Sequence, residues 1–192
     1  MFVIYDLEYT SWPGAQERGW TGPGEFREIV QIGALRVDPA SMEVVGEFDA
    51  LVRPVRNPEL SEFFVDLTGI TRAELAARGQ DFAAALDGFA KFCDGGYAIS
   101  YGNDMVIIGE NVILQLPPDR RPAVPLPPFL NIRPHLNKLI PATTPLSAGR
   151  LREAVGLATP DGEPLHNAVL DCYAILDTLR HLRREGLPLV NL

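Results

Sequence analysis

The sequence predicts an α/β fold in which helices flank a mixed, five-stranded β-sheet. Three observations favour this fold class: three β-type segments come first, helical and β-type segments alternate after them, and 46% of the residues are hydrophobic. A chain of 192 residues can bury a sizeable core, so we interpret residues 1–192 as one domain. Ligands of such sheets bind beyond the carboxyl ends of the strands, which is where functional residues are expected.

Five segments have the β-branched composition, or the alternation of apolar and polar residues, that is typical of strands. A short turn at 39–42 joins the second segment to the third, which predicts that these two strands are antiparallel neighbours. The predicted strands cover residues 2–7, 27–38, 43–54, 97–102 and 129–133.

Helices are predicted where capping residues precede an apolar stripe. Thr71 and Glu74 have the spacing of a capping box, and Gly79 ends that helix. Asp81 caps the next helix. The apolar stripe of this second helix consists of Phe82, Ala85, Leu86, Phe89 and Cys93. Three further helices are expected at residues 103–116, 146–156 and 167–184.

Charge, hydropathy and cysteine content restrict the possible partners. The net charge of −8 argues against a broad electrostatic grip on a nucleic-acid duplex, which needs a basic face. It does not exclude a short nucleic-acid end held at a metal site. No apolar run approaches the ~20 residues of a membrane helix, so no membrane partner is expected. Cys93 and Cys172 fall in apolar helical patterns, and such buried free thiols predict a reducing, cytoplasmic location.

Two acids stand at the end of the first predicted strand. Ile4, Asp6 and Glu8 share one face, because side chains alternate along a strand. A carboxylate in a buried strand is costly unless it is paired or bound to a metal. A strand that ends at Tyr5, with both acids in solvent, explains the same residues, and so short a motif does not decide between the two.

Two further acids and a histidine stand out against their local patterns. Asp171 falls inside the apolar stripe of the last helix, between Ala168 and Ile175, and His166 lies five residues before it. Asp104 follows the fourth strand, where an ordinary helix N-cap is the simpler explanation of this residue taken alone. Together with the two acids of the first strand, these acids lie at the ends of different elements that can converge.

Four converging carboxylates, Asp6, Glu8, Asp104 and Asp171, would raise one another's pKa unless cations came between them. Oxygen ligands suit hard ions, Mg²⁺ or Mn²⁺, rather than zinc. Two such ions roughly 3.5–4 Å apart are an established arrangement for in-line phosphoryl displacement. A nearby neutral histidine can accept the proton of the attacking water close to pH 7, and His166 is the candidate for that role.

These residues occur in the order of three known motifs. The segment DLEYT resembles an Asp-x-Glu motif, YGNDMVII resembles one with an aspartate after an aromatic-Gly stretch, and HNAVLD resembles His-x-Ala/Gly-x-x-Asp. On these motifs, the chain resembles the DEDD-superfamily 3′–5′ exonucleases of the histidine subclass, which have a three-layer, ribonuclease H-like fold. Residues 28–38, 51–71 and 129–136 look like the subgroup of histone-mRNA and small-RNA trimming exonucleases. Bacterial relatives in that subgroup are sometimes labelled inhibitors of a sporulation kinase pathway.

The resemblance implies a nuclease domain that removes nucleoside 5′-monophosphates from the 3′ end of single-stranded RNA or DNA. It implies that Asp6, Glu8, Asp104 and Asp171 hold two divalent ions, Mg²⁺ or Mn²⁺, and that His166 is the general base. It does not distinguish RNA from DNA. The oligomeric state also stays open, a homodimer being one expectation.

Five residues are candidates for contact with the substrate. By resemblance, Leu7 of the first motif, Leu67 and Thr68 of the LTGIT segment and Tyr101 of the second motif are expected beside the terminal nucleotide. Trp12 belongs to a Gly/Pro-rich loop at 11–25 that leaves the first strand just past its acids. This tryptophan, with a second one in the same loop, can stack on bases or simply pin the loop to the body. A proline-rich loop at 117–128 has no assigned role.

Two other functions are compatible with parts of the pattern. The same fold without catalysis would be a regulatory module that binds a protein partner, but all five catalytic positions of the motifs are filled. A metal-free glycosidase needs only two acids. That function leaves His166 and two of the four acids without a role.

Overall fold

Five strands form a mixed sheet at the centre of the fold. The computed structural model describes residues 1–121, 126–160 and 166–188. The strands are β1 (Phe2–Tyr9), β2 (Ile29–Val37), β3 (Val44–Leu51), β4 (Tyr97–Ser100) and β5 (Phe129–Asn131). Their order across the sheet is β3-β2-β1-β4-β5, with β1–β2 and β2–β3 antiparallel and β1–β4 and β4–β5 parallel. The predicted α/β fold with a mixed, five-stranded sheet is therefore confirmed.

Seven α-helices occur in the described part of the chain. They are α1 (Glu62–Thr68), α2 (Arg72–Arg78), α3 (Phe82–Cys93), α4 (Asp104–Gln115), α5 (Arg133–Leu139), α6 (Leu151–Ala154) and α7 (Ala168–Arg184). Thr71 and Asp81 cap α2 and α3 as predicted, each accepting a hydrogen bond from the backbone N–H three residues on. The sequence prediction missed α1 and α5, because seven residues show too little periodicity to separate a helix from a loop.

Helices cover both faces of the sheet. On one face α7 packs against β1 and β2, and its residues Ile175 and Leu179 share a core cluster with Ile4 and Leu35. On the other face lie α3 and α4. The core on that side includes Tyr5, Ile32, Leu86, Phe89 and Ile108. Since β1 is covered on both faces, its apolar run is that of a central strand.

Gly33 permits a close approach between α7 and the sheet. A Cβ atom at this position would lie 2.4 Å from the backbone carbon of Ala168 and 2.5 Å from the backbone nitrogen of Val169. Gly33 pairs with Asp6 across the β1–β2 ladder. The first turn of α7 therefore reaches the sheet at the level of the acids on β1.

Three predicted segments need correction or lie partly outside the described residues. β1 continues to Tyr9 instead of ending at Leu7, because residues 7–9 still pair with β2. Residues 146–156 contain a 3-10 turn at Ala148–Arg150 followed by the short α6, and Ser147 makes no side-chain capping bond. The predicted loop at 117–128 is described only at 117–121 and 126–128, which contain no strand or α-helix.

Both cysteines are buried and free, as predicted. Cys93 belongs to the core between the sheet and α3, and Cys172 to the core beneath α7. Among the described helices, none is both long enough and apolar enough to span a membrane.

Candidate active site

Asp6 and Glu8 lie within the central strand, facing the first turn of α7. Their residues are only 8% and 7% exposed, so the explanation in which both acids stand in solvent is wrong. Glu8 pairs across the ladder with Gln31, whose side-chain oxygen accepts a hydrogen bond of 3.1 Å from the backbone N–H of Ala168. One strand thus presents both carboxylates, and its neighbour holds the start of α7 against them.

Asp104 is the first residue of α4, and the N-cap position belongs to Asn103, which makes no side-chain capping bond. Asp104 is buried. The helix that carries it is tied to the sheet by the fully buried Asn111, which accepts from the backbone N–H of Ile29 at 3.1 Å. The amide of Asn111 also donates to the carbonyl of Arg27 at 2.8 Å. These bonds fix the height of α4 relative to β2, and with it the position of Asp104.

Asp171 and His166 come from the start of α7. Asn167 caps this helix by accepting from the backbone N–H groups of Val169 and Leu170, so the chain between the two functional residues is a well-defined turn. His166 has a φ of +61°, which turns the chain directly before the helix. Ligand atoms of Glu8, His166 and Asp171 all lie within 4.8 Å of one another.

The four acids and the histidine line one open cavity of about 330 Å³. The other lining residues come from β1 and the loop after it, from α1, from the β4–α4 connection and α4, from the start of α5, and from the 3-10 turn before α6. The remaining lining residues are Leu7, Tyr9, Ser11, Gln16, Trp20, Arg27, Leu67, Tyr101, Gly102, Asn103, Ile107, Arg133, Ser147 and Ala148. The five residues named by the sequence motifs are therefore brought together in one place.

The carboxylates of this cavity are hard to ionise when they are alone. Burial, followed by repulsion from Asp171, Asp104 and Glu8, raises the pKa of Asp6 well above its usual range. Burial and the charges of Asp171 and Asp104 do the same to the pKa of Glu8. Burial also raises the pKa of Asp104 to about 6, although a hydrogen bond with Ser100 opposes the shift. A compensating positive charge would stabilise all of them.

His166 has the opposite shift. Burial of the half-covered ring lowers its pKa below the usual value, because the imidazolium form loses hydration. The ring is therefore neutral near pH 7 and has a nitrogen lone pair available. It can serve as a base or as a ligand.

The five predicted substrate contacts divide into two groups. Leu7, Leu67 and Tyr101 line the cavity, whereas Thr68 and Trp12 do not. Thr68 is buried at the end of α1, where its hydroxyl donates to the carbonyl of Phe64 at 2.9 Å. The nucleotide contacts expected of Thr68 and Trp12 stay predictions, because neither residue lines the cavity.

The sequence left open which loop tryptophan contacts the substrate, and it gave no indication of Gly149. Of the two tryptophans, Trp20 and not Trp12 lines the cavity, and its indole N–H donates to the carbonyl of Thr10 at 3.2 Å. Gly149 leaves room for Asp171: a Cβ atom there would lie 2.4 Å from Oδ1 of the acid. Gln31, a buried polar residue in a largely apolar strand, was the one sequence signal of the contact that holds the start of α7.

A comparison with known protein families agrees with the motifs. The exonuclease family RNase_T matches residues 3–179. The chain belongs to the exonuclease family. Membership of this family indicates a nuclease, which is a hydrolase.

Two curated relatives share part of the sequence of this exonuclease. They are ERI1 exoribonuclease 2 of Homo sapiens, 30% identical over 73 residues, and that of Mus musculus, 33% identical over 73 residues. Each match covers 38% of this chain and 10% of the relative. The matched part thus spans about a tenth of the length of these proteins.

Solved structures of exonucleases have the same fold. The nuclease domain of 3′hExo, described as a DEDDh family member bound to rAMP, superposes with a TM-score of 0.74 at 22% identity, over 98% of this chain and 94% of that one. A 3′-exonuclease with a histone mRNA stem-loop gives 0.72 at 21%, over 96% and 82%. Escherichia coli exonuclease I with a dT13 oligonucleotide gives 0.64 at 17%, over 95% and 40%. At these identities the likeness establishes the ribonuclease H-like fold.

Proposed function

We propose that this exonuclease removes nucleoside 5′-monophosphates from the 3′ end of single-stranded RNA or DNA by metal-dependent hydrolysis. The observation that carries the proposal is the meeting of Asp6, Glu8, Asp104, Asp171 and His166 in one open cavity. Asp104 comes from α4, and His166 and Asp171 come from the start of α7. These residues meet the two acids on β1. Carboxylates that converge in this way suit metal-assisted phosphodiester hydrolysis, which the fold alone does not imply.

The donor set fits two hard divalent cations, Mg²⁺ or Mn²⁺. Four buried carboxylates supply oxygen ligands, and burial together with mutual repulsion raises the pKa values of Asp6 and Glu8, an effect that bound cations would offset. Gly149 lies against the carboxylate of Asp171, where a Cβ atom would come within 2.4 Å of Oδ1. When bound, such ions stabilise the charge that develops on the phosphoryl oxygens during in-line attack.

The residues of the chain supply the remaining steps. His166, neutral because burial lowers its pKa, accepts the proton of the attacking water at a ring nitrogen. Leu7 and Leu67 provide apolar surface against which the terminal nucleotide is held. The product leaves as a nucleoside 5′-monophosphate once the bond to the neighbouring nucleotide has broken.

The structures that resemble this exonuclease bind both types of nucleic acid according to their descriptions, rAMP and a histone mRNA stem-loop in two cases and dT13 in another. We therefore propose single-stranded ends of either type as substrates. The buried free thiols Cys93 and Cys172 are consistent with the predicted cytoplasmic location.

Purified protein and 5′-labelled single-stranded RNA and DNA test the proposal. We expect stepwise shortening from the 3′ end with Mg²⁺ or Mn²⁺, release of 5′-monophosphates, and strong inhibition when the 3′ hydroxyl is replaced by a phosphate. Robust cleavage in excess EDTA would contradict the metal-dependent mechanism. Binding of a protein partner without cleavage of either nucleic acid would favour the regulatory module instead.

A further inference from the structure

Two arginines line the cavity, and they differ in what neutralises them. Arg27 forms a two-pronged ion pair with Glu110 of α4, its Nε donating at 2.9 Å. Its guanidinium carbon also lies 5.5 Å from the ring centre of Trp20. The charge of Arg27 is therefore already used to fasten the cavity wall to α4.

Arg133, the second arginine of the cavity, is held in place without a carboxylate. None of the ion pairs in the described ranges includes this residue, the first of α5. Its guanidinium carbon lies 5.1 Å above the ring of Tyr101, and its Nη2 donates to the carbonyl of Thr144 at 3.1 Å. Tyr101 is itself fixed, because its hydroxyl donates to the carbonyl of Thr143 at 2.7 Å.

This arrangement leaves hydrogen-bond donors at the cavity. A guanidinium has five N–H donors, and the bond to Thr144 uses one of them. Stacking on Tyr101 occupies the face of the guanidinium but not its edge. A planar edge of N–H groups with an unneutralised charge matches the oxygens of a phosphate.

The position of Arg133 distinguishes it from the residues that act on the reacting bond. It lines the same cavity as the four acids, and no ion pair in the described ranges joins it to any of them. A strand whose last phosphodiester lies at the acids must carry its next phosphate away from them, because the acids repel it. Arg133 supplies positive charge at the cavity lining for this next phosphate.

We propose that Arg133 binds the phosphate of the nucleotide adjacent to the one that is removed, and so grips the substrate strand without acting on the reacting bond. The proposal rests on the proposed exonuclease function. It assigns a phosphodiester subsite to the part of the cavity lining that contains Tyr101 and Arg133. The ligand of this subsite is an internal phosphate of RNA or DNA, which a single nucleotide ester lacks.

Substitution Arg133→Ala tests the subsite with two substrates. Because a hydrogen bond to a charged group contributes roughly 1.5–3 kcal/mol, KM for an oligonucleotide should rise about 10-fold or more while kcat stays unchanged. Hydrolysis of thymidine 5′-monophosphate p-nitrophenyl ester, which has no second phosphate, should not change. An equal loss on both substrates would overturn the proposal.

Arg36 offers a matched control. Its guanidinium carbon lies 4.6 Å over the ring of Phe92 and its Nε donates to the carbonyl of that residue at 3.1 Å, but Arg36 does not line the cavity. Arg36→Ala should leave KM for the oligonucleotide unchanged. If Arg133→Ala melts early, Arg133→Lys decides, since it keeps the charge but loses the planar edge of N–H groups: KM for the oligonucleotide should rise while hydrolysis of the nucleotide ester stays unchanged. An Arg133→Lys protein that folds and keeps the wild-type KM for the oligonucleotide, or that loses activity equally on both substrates, would also overturn the proposal.

Binding without turnover separates this proposal from the proposed function. In a His166→Asn background with Mg²⁺, anisotropy of a labelled oligonucleotide should show that Arg133→Ala lowers the slope of log K against log salt by about 0.7, one phosphate contact of a single strand. An unchanged slope would refute the subsite even if the enzyme is an exonuclease. A lower slope together with no hydrolysis by the wild type would refute the exonuclease and leave a strand-binding subsite.

Discussion

Glu8 and Asp171 lie on different elements, yet their carboxylates and the ring of His166 come within 4.8 Å of one another. Crowding of this kind is unfavourable in the metal-free protein, and burial together with the charges of Asp171 and Asp104 raises the pKa of Glu8. Residues retained for stability do not normally repel each other in this way. The crowding therefore supports the proposed metal-binding role of these acids.

Asp171→Asn and Glu8→Gln should each abolish most activity without unfolding the protein. Changing a partner that only orients a metal ligand typically costs 10- to 100-fold, so loss of a ligand should lower kcat/KM by at least about 100-fold. Thermal melts in EDTA should be unchanged or shifted upward, because each substitution removes one of several repelling charges. Oligonucleotide hydrolysis and circular dichroism melts measure the two effects.

Asp177, on the same helix, is the control for these variants. It pairs with Arg152 at 2.8 Å and does not line the cavity. Asp177→Asn should keep full activity and lower the melting temperature slightly. If Asp171→Asn instead behaves like Asp177→Asn, then Asp171 has a structural role and the proposed function loses its main support.

Among the elements, α7 matters most for the site, since it carries His166 at its entrance and Asp171 in its first turn. The helix is placed by two contacts with β2: the bond from the backbone N–H of Ala168 to Gln31, and the close packing on Gly33. On the β2 side, neither contact involves a residue of the three motifs, since Gln31 and Gly33 lie outside them. The geometry of the cavity thus depends on how closely a helix can approach a strand.

Gly33→Ala should damage both stability and activity. The new Cβ would overlap backbone atoms of Ala168 and Val169, so α7 must move away from β1 and take Asp171 with it. Overpacking of this kind costs about 1–3 kcal/mol, which corresponds to a melting temperature lower by roughly 2–10 °C in a domain of this size. Melting and oligonucleotide hydrolysis should both fall.

Gly109→Ala is the matched substitution. Gly109 lies in the middle of α4, and a Cβ atom there would meet nothing within 4 Å. Alanine at an open helical position stabilises by about 0.4–1 kcal/mol, so this variant should melt at the same or a higher temperature and keep its activity. Equal behaviour of the two variants would show that the contact between Gly33 and α7 does not place the site.

For the molecule as a whole, charge and pH connect the cavity to stability. The net charge of −8 becomes −4 when two divalent cations add +4, so the protein stays acidic after metal binding. Affinity for a strand should then depend on the metals and a few local contacts, and its salt dependence should be shallow. The protein is not built to hold a long duplex electrostatically.

The metal-free protein should lose stability as the pH rises from about 4 to above 6. Asp6, Glu8 and Asp104 have raised pKa values in the folded state, about 6 for Asp104, so the folded protein binds more protons than the unfolded chain in this window. In EDTA, the melting temperature of Asp104→Asn should exceed that of wild type by roughly 5 °C at pH 8, and the difference should vanish near pH 4.

The pKa of His166 is shifted in the opposite direction, so its contribution to stability has the opposite pH dependence. Its lowered pKa means that the folded protein binds fewer protons than the unfolded chain, so its contribution is present above its usual pKa and is lost as the pH falls below that value. His166→Asn should therefore reduce the loss of stability on the acidic side. A wild-type advantage over Asp104→Asn that grows with pH in EDTA would contradict the raised pKa of Asp104.

Local sequence patterns were sufficient for much of the fold. The stripe Phe82, Ala85, Leu86, Phe89 and Cys93 is the buried face of α3, and the apolar and alternating runs became the five strands. Helix periodicity, strand alternation and capping depend on neighbours along the chain, and these neighbours are visible in the sequence. The resemblance to known motifs likewise picked out the acids that line the cavity, because each motif is a short run of neighbouring residues.

The contacts across the fold could not be derived in this way. Nothing local to Trp12 and Trp20 indicates that only Trp20 reaches the cavity, or that Arg133 is left without the acidic partner that Arg27 has. Gly33 and Gly149 look like ordinary glycines until α7 is placed against them. Each of these facts depends on the distance between residues that are far apart along the chain, and packing of α7, α4 and the 11–25 loop against the sheet sets those distances.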